Sequence, residues 1–258
     1  MQTESTGRGD PDRTLALLWR DHLEAPALTR GPKQRSSVEE VVATAIILAD
    51  EEGLAGVSMR KIADRLGMKP MSIYTYVPGK AELIDLMIDQ VSAELPLPAL
   101  EGDLRARLER IARRQWEEYR LHPWLLDVDT SRPPLGPHVS DHWEWCLRAI
   151  DGFGLSDLDM DQTITLVIGV VATPARAFAN AERLHREARE SDVEWWESNS
   201  PILEQVMDAS RYEVSGRVGQ AAGEAYQSAH DPIRNFEFGL ARVLDGIERY
   251  VGRVAAAE

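Results

Sequence analysis

Lys69, Ser72, Thr75, Tyr76 and Lys80 fall close together in "RLGMKPMSIYTYVPGK", residues 65–80. Hydroxyl and phenol groups both donate and accept hydrogen bonds, and lysine ammonium groups donate to anionic oxygen. Held on one surface, such a set bonds phosphate oxygens and the edges of bases. That chemistry is recognition. No clustered base and nucleophile stands in the sequence to suggest bond breaking.

The elements around this stretch must hold it in place. "SIYTYV" has the composition of a strand, yet nothing on either side offers a partner strand. Pro70 suits the first turn of a helix, and a helix over 70–77 points Ile73 and Val77 inward at i, i+4. Pro78-Gly79 stops it, and Lys80 opens "KAELIDLMIDQVSAEL". Before it, Ser58 caps "MRKIADRLG", with Met59, Ile62, Ala63 and Leu66 inward and Gly67 as the stop. Lys61 stands where a reciprocal cap wants Glu or Gln. Ser36 or Ser37 caps "VEEVVATAIILADEEG", whose Val38, Val41, Val42, Ala45, Leu48 and Ala49 keep helical spacing up to Gly53. A four-residue turn between the second and third of these helices has the proportions of a helix-turn-helix.

The whole chain has 258 residues, 43% of them hydrophobic, and a net charge of −14. That charge alone argues against a nucleic-acid partner, but binding responds to local potential within a Debye length of ~8–10 Å. Residues 57–80 carry Arg60, Lys61, Arg65, Lys69 and Lys80 against Asp64, and Arg30, Lys33 and Arg35 add a basic stretch without acid. No run approaches the ~18 apolar residues of a membrane span, so no membrane partner is expected. No apolar core follows a basic start at the N-terminus, and the single cysteine, Cys146, suits a reducing cytoplasm. Beyond residue 101 every pattern is helical, with the long segment after 158 broken near Pro174. The expected fold is all-α, with about nine or ten helices divided near residue 95.

"SMRKIADRLGMKPMSIYTYVPGKAELIDLMIDQV" resembles the DNA-binding segment of the TetR (tetracycline-repressor-like) family of bacterial transcriptional regulators, of a type found in actinobacteria. The family pattern is matched at Arg60, Ile62, Ala63, Leu66, Gly67, Tyr74, Lys80 and Leu83. Ile73, Tyr76, Val77 and Met68 replace its usual Leu, His, Phe and Val, and Ser58 its capping Thr. The resemblance implies groove or phosphate contacts from Arg60, Lys69, Pro70, Met71, Ser72, Tyr74, Thr75, Tyr76 and Lys80. Met71 would meet a thymine methyl. Tyr74 either reaches a phosphate or packs on the first helix. Arg30, Lys33 and Arg35 form either an arm into the minor groove or a solvated linker.

By the same resemblance, residues 1–36 are a flexible extension with a short helix and a basic arm. Residues 37–95 are the DNA-binding domain with its connecting helix, and 96–258 a domain for dimerisation and a small-molecule effector. A homodimer implies a pseudo-palindromic double-stranded operator, bound as a repressor and released by the effector. Phe238, Leu240, Val243, Leu244, Ile247 and Val251 of the last helix, with the helix through 175–187, are expected either between copies or in the chain's own core. Trp116, Tyr119, His122, Trp124, His142, Trp145, Thr173 and Phe178 are candidates to line the effector pocket, each of which could instead fill a core. His138 and His142 have metal-compatible i, i+4 spacing with Asp141 nearby, but no third ligand is specified, so neither metal nor cofactor is expected. The competing expectations are a helical enzyme, an interaction module with a vestigial helix-turn-helix, and an activator without a ligand.

Overall fold

The computed structural model describes residues 4–23, 36–187, 191–208, 210–228 and 230–256. Arg30, Lys33 and Arg35, the expected basic arm, lie outside the described residues. Helix α1 (Pro11–Leu18) begins at Asp10, whose carboxylate accepts from the Arg13 N–H at 3.1 Å. In α2 (Val38–Glu52) Ser37 and Glu40 cap each other's backbone N–H groups, and Gly53, at φ 73°, ends the helix. Ser58 caps α3 (Met59–Arg65), and after a turn through Gly67 comes the single turn of α4 (Pro70–Ile73). Then follow α5 (Lys80–Ser92), α6 (Leu104–Leu121), α7 (Pro137–Ile150) and α8 (Asp157–Glu187). The last elements are α9 (Asp192–Val206), α10 (Glu213–Tyr226) and α11 (Pro232–Ala255). The fold is all-α as expected. Among the described residues the only β-type pairing is one isolated bridge between Ser5 and Asp129.

Two apolar cores organise the helices. The first gathers Val41, Ala45, Ile62, Ile73, Val77, Leu83, Ile84 and Met87 from α2 to α5, and takes in Leu18 of α1. The second joins Leu108 and Ile111 of α6, Ile150 of α7, Ile164, Val167 and Val171 of α8, and Phe236, Leu240 and Leu244 of α11. Trp124, in the 3₁₀ turn Pro123–Asp127 after α6, is buried in the first core rather than the second. The larger domain therefore plugs a tryptophan into the smaller one.

Several expectations change. α8 runs unbroken through Pro174, which is buried among its neighbours. A proline inside a helix costs about 3 kcal/mol, and the packing on both sides outweighs it. The same helix is long and apolar enough to cross a membrane by length and composition alone. Its Ile164, Val167 and Val171 instead fill the second core. Of the two roles open to the last helix, Leu240, Leu244 and Ile247 serve the chain's own core, whereas Phe238 is 64% exposed. The irregular segment read after residue 193 is two helices, α9 and α10, with no buried residue described on either. Residues 4–23 are not a loose extension: Thr6 and Leu18 are buried, and α1 packs on α5.

Candidate DNA-binding face and effector cleft

Gly67 at φ 63° lets the chain reverse after α3, and the Met68 N–H closes the turn on the Ala63 carbonyl at 2.8 Å. Lys69 and Pro70 then open α4. The expected helix over 70–77 stops at Ile73 and continues as hydrogen-bonded turns through Tyr76. Two causes act together. The Thr75 hydroxyl donates to the Ser72 carbonyl at 2.7 Å, and Pro78 disfavours helical geometry at Val77. Ile73 and Val77 are nonetheless fully buried, so the bracing from behind is in place.

The outer face holds Lys69, Pro70, Met71, Tyr74 and Thr75, all exposed, with Ser72 half-buried beside them. Met71 is 77% exposed, an unusual place for a large apolar side chain with nothing described against it. Of the two placements open to Tyr74, the structure has the exposed one. Tyr76 departs from its expected position on this face: it is half-buried and packs against the first core. Arg60 points to solvent from α3.

The local charge is more tightly paired than a tally along the chain suggests. Lys61 bonds Glu52, Arg65 bonds Glu51 at 2.7 Å, and Arg60 lies 3.9 Å from Asp64. Lys80 is half-buried, its ammonium 2.8 Å from the Glu4 carboxylate. Among the described residues Lys69 makes no ion pair. The acids of α2 and the N-terminal segment are the partners that sequence order hides.

α5 runs from this face into the larger domain and is gripped along one side. The Asp10 N–H donates to Glu82 at 3.1 Å, and the Gly7 N–H donates to both oxygens of Asp85 at 3.2 and 3.3 Å. The N–H groups of His138 and Val139, at the start of α7, each donate to Asp89 at 3.0 Å. All three acids are buried. Burial pushes the Asp85 carboxyl above its ordinary range against the opposing pull of the Gly7 N–H. At the other end of α5, buried Arg114 donates to the carbonyls of Ser92 at 2.8 Å and Leu95 at 3.3 Å.

The eight pocket candidates divide into separate groups. Tyr119, Trp124 and Phe178 line a cleft of about 730 Å³ between the end of α2, the Pro123–Asp127 turn and the second half of α8. Arg176 also lines it, paired with Asp127 at 2.9 Å. Trp116 backs this wall, 4.6 Å from Phe236 in a stack and 5.7 Å from Phe178. Burial pushes the Tyr119 phenol up to about 12. His122 is locked beside the cleft, its Nδ1 2.9 Å from Asp50 and its Nε2 3.0 Å from Glu94. His142 and Trp145 sit elsewhere. His142 Nε2 is 3.3 Å from Arg114, and the Trp145 indole donates to the Pro98 carbonyl at 2.8 Å. Thr173 is exposed and lines neither group.

Burial and the Arg114 charge hold His142 down at about 3, so it is neutral and its Nε2 accepts the arginine proton. His138 turns instead to Asp89, with Nδ1 at 2.9 Å, so the two histidines serve different partners. Burial pushes the Cys146 thiol up to about 12, which leaves it an inert core residue. Sequence reading passed over Arg114, Glu118, Asp50, Glu94 and Arg176. A signal existed for some of them: Gln115, Glu118 and His122 continue the core spacing of Leu108 and Ile111, and a polar residue in such a stripe needs a buried partner.

The comparisons fit this geometry. Residues 41–87 match the model of the bacterial regulatory proteins of the tetR family, and residues 96–251 match the tetracyclin repressor-like C-terminal domain. The chain belongs to the tetracycline-repressor-like family of bacterial transcriptional regulators, and it is a DNA-binding regulator rather than an enzyme. It is 41% identical to the HTH-type transcriptional repressor DrrR1 of Streptomyces coeruleorubidus, over 97% of this chain and 90% of that one. An HTH-type transcriptional regulator of Saccharopolyspora erythraea is 32% identical over 60% of this chain and 63% of that one. Among solved structures, Streptomyces coelicolor ActR in complex with actinorhodin superposes with a TM-score of 0.67 at 25% identity. That match covers 86% of this chain and 100% of ActR.

Proposed function

We propose that this chain is a repressor that acts in the cytoplasm as a homodimer, binds a pseudo-palindromic operator, and is released by a small-molecule effector. The observation that carries the reading is the exposed row Lys69, Met71, Tyr74 and Thr75, braced from behind by fully buried Ile73 and Val77. Lys69, Arg60, Tyr74 and, once freed from Glu4, Lys80 hold phosphates. Ser72 and Thr75 approach base edges, and Met71 meets a thymine methyl. Tyr76 acts from behind this row as packing. The name of DrrR1 supports repression over activation.

The effector enters the cleft lined by Tyr119, Trp124 and Phe178. These residues favour a flat, partly aromatic molecule, and an acceptor group on it would compete with Asp127 for Arg176. The structure of ActR in complex with actinorhodin supports a small-molecule ligand. The cleft has walls from both domains, so an occupant that spreads α2 from α8 binds the two arrangements with different affinity. That difference is what an effector needs to shift DNA binding. α5 carries the shift, with Lys80 at one end and the Arg114 clamp at the other. The second copy docks along α8 and α11, where Leu166 and Val243 line a groove between the helices and Phe238 is exposed on α11.

The test is selection of a site from random duplex DNA, followed by binding titrations over a range of salt. Lys69→Ala is expected to weaken binding to all sequences and reduce the salt slope by about one. Met71→Ala is expected to relax preference at one thymine. If the chain selects no sequence, or both variants bind as the wild type does, this face is not the reading head.

A further inference from the structure

The segment before α1 is built as a strap between the two domains, and its tip ends on Lys80. Glu4 and Thr6 pair with residue 129: the Asp129 N–H donates to the Glu4 carbonyl at 2.9 Å, and the Thr6 N–H donates to the Asp129 carbonyl at 3.1 Å. The Thr6 hydroxyl donates to the Arg132 carbonyl. These anchors lie on the loop that follows the Trp124 turn in the larger domain. The opposite edge of the strap is fixed to α5 through Gly7 on Asp85 and Asp10 on Glu82. Glycine is required twice. Gly7 adopts φ 64°, and a Cβ at Gly9 would collide with the Glu82 carboxylate. Residues 4–18 also lie wholly outside the span, 41–87, that matches the family's DNA-binding domain. The strap is an addition to that domain.

We propose that this strap is autoinhibitory: the Glu4 carboxylate occupies the Lys80 ammonium in place of a DNA phosphate. The inference rests on the reading of Lys80 as a phosphate contact. Held 2.8 Å from the carboxylate, the ammonium has its charge neutralised, and a phosphate at its remaining donors would face the Glu4 carboxylate as a like charge. Operator binding therefore works against Glu4 and is eased when the carboxylate moves away. Because Glu4 and Thr6 are hydrogen-bonded to Asp129, the grip on Lys80 depends on where the 128–132 loop stands. That loop adjoins the wall of the effector cleft that carries Trp124, Leu126 and Asp127. The strap thereby gives the larger domain a second route to the Lys80 end of α5, separate from the Arg114 clamp at its other end.

The experiment uses the full chain and a fluorescent duplex whose site the wild-type chain has selected from random DNA. Glu4→Gln keeps the shape and removes the charge at a half-exposed position. It is expected to tighten binding roughly two- to fivefold at low salt, with the gain fading as salt screens the pair. Thr6→Val, which removes the hydroxyl bond to the loop, is expected to act in the same direction. Lys80→Ala is expected to weaken binding, and Glu4→Gln in the Lys80→Ala background to add nothing. If Lys80→Ala weakens binding while Glu4→Gln leaves it unchanged, the strap is a structural tie only and the proposal falls. If Lys80→Ala leaves binding unchanged, the phosphate role of Lys80 fails, and the proposal with it.

Discussion

His122, at the end of α6, lies 2.9 Å from Asp50 near the end of α2, and this bond joins the two domains through a single imidazole. The other ring nitrogen lies 3.0 Å from Glu94, just beyond α5. Both nitrogens can donate at once only when the ring is protonated. Burial opposes that charge, but the bonds to Asp50 and Glu94 outweigh it and raise the pKa above its ordinary 6.5.

The two buried histidines are expected to shape stability against pH in opposite senses. His122 has a raised pKa when folded, so its stabilisation is complete below 6.5 and fades as pH climbs through the raised value. His142 is held down to about 3, so stability is lost as pH falls from 6.5 toward that value, where only the unfolded chain takes up the proton. Chemical denaturation across pH 4–9 checks this. His142→Gln should flatten the acid limb and His122→Gln the alkaline limb, and a variant that leaves its limb unchanged refutes the assignment.

Gly136→Ala should be destabilising by about 1–3 kcal/mol, although the site is far from the DNA face. A Cβ at Gly136 would collide with the Asp89 carboxylate, which accepts from the first N–H groups of α7. Losing those bonds removes an anion from a helix N-terminus as well. Urea melts of wild type and variant give the number, and equal midpoints would show that Asp89 does not depend on this approach.

Arg114→Met should cost about 3–5 kcal/mol, because it leaves the buried Glu118 without its cation and the end of α5 without a donor. Burial already raises the Glu118 carboxyl, opposed by the Arg114 charge, so in the variant this group should take up its proton at a higher pH than in the wild type. Thermal melts at two pH values measure both effects. Glu118→Gln in the Arg114→Met background should recover part of the loss.

The helix-turn-helix was legible because its signals are local. Ser58, Gly67, Pro70 and Pro78-Gly79 mark boundaries within a few residues of the structure they set, and Ile73 and Val77 face inward as their spacing requires. The strap and the grip on α5 were not legible, because their donors come from far along the chain. Nothing near Glu82, Asp85 and Asp89 in sequence marks them as buried, yet they meet N–H groups of residues 7, 10, 138 and 139. The aromatic candidates failed to converge for a related reason. Tyr119, Trp124 and Phe178 come together only once α2 of the smaller domain closes the cleft. Thr173, one turn from Arg176 on α8, is exposed and does not line it.

The spacing of Glu82, Asp85 and Asp89 limits what α5 can do. Three positions at steps of three and four residues share one stripe of a helix and span roughly 10 Å along its axis. A roll of one residue, about 100°, would unseat all three carboxylates together. A tilt about the Asp89 end leaves that carboxylate seated and moves the Lys80 end the most. The helix is therefore a hinged lever that cannot spin on its axle. Any motion it passes to α4 is a tilt about its Asp89 end rather than a turn about its own axis.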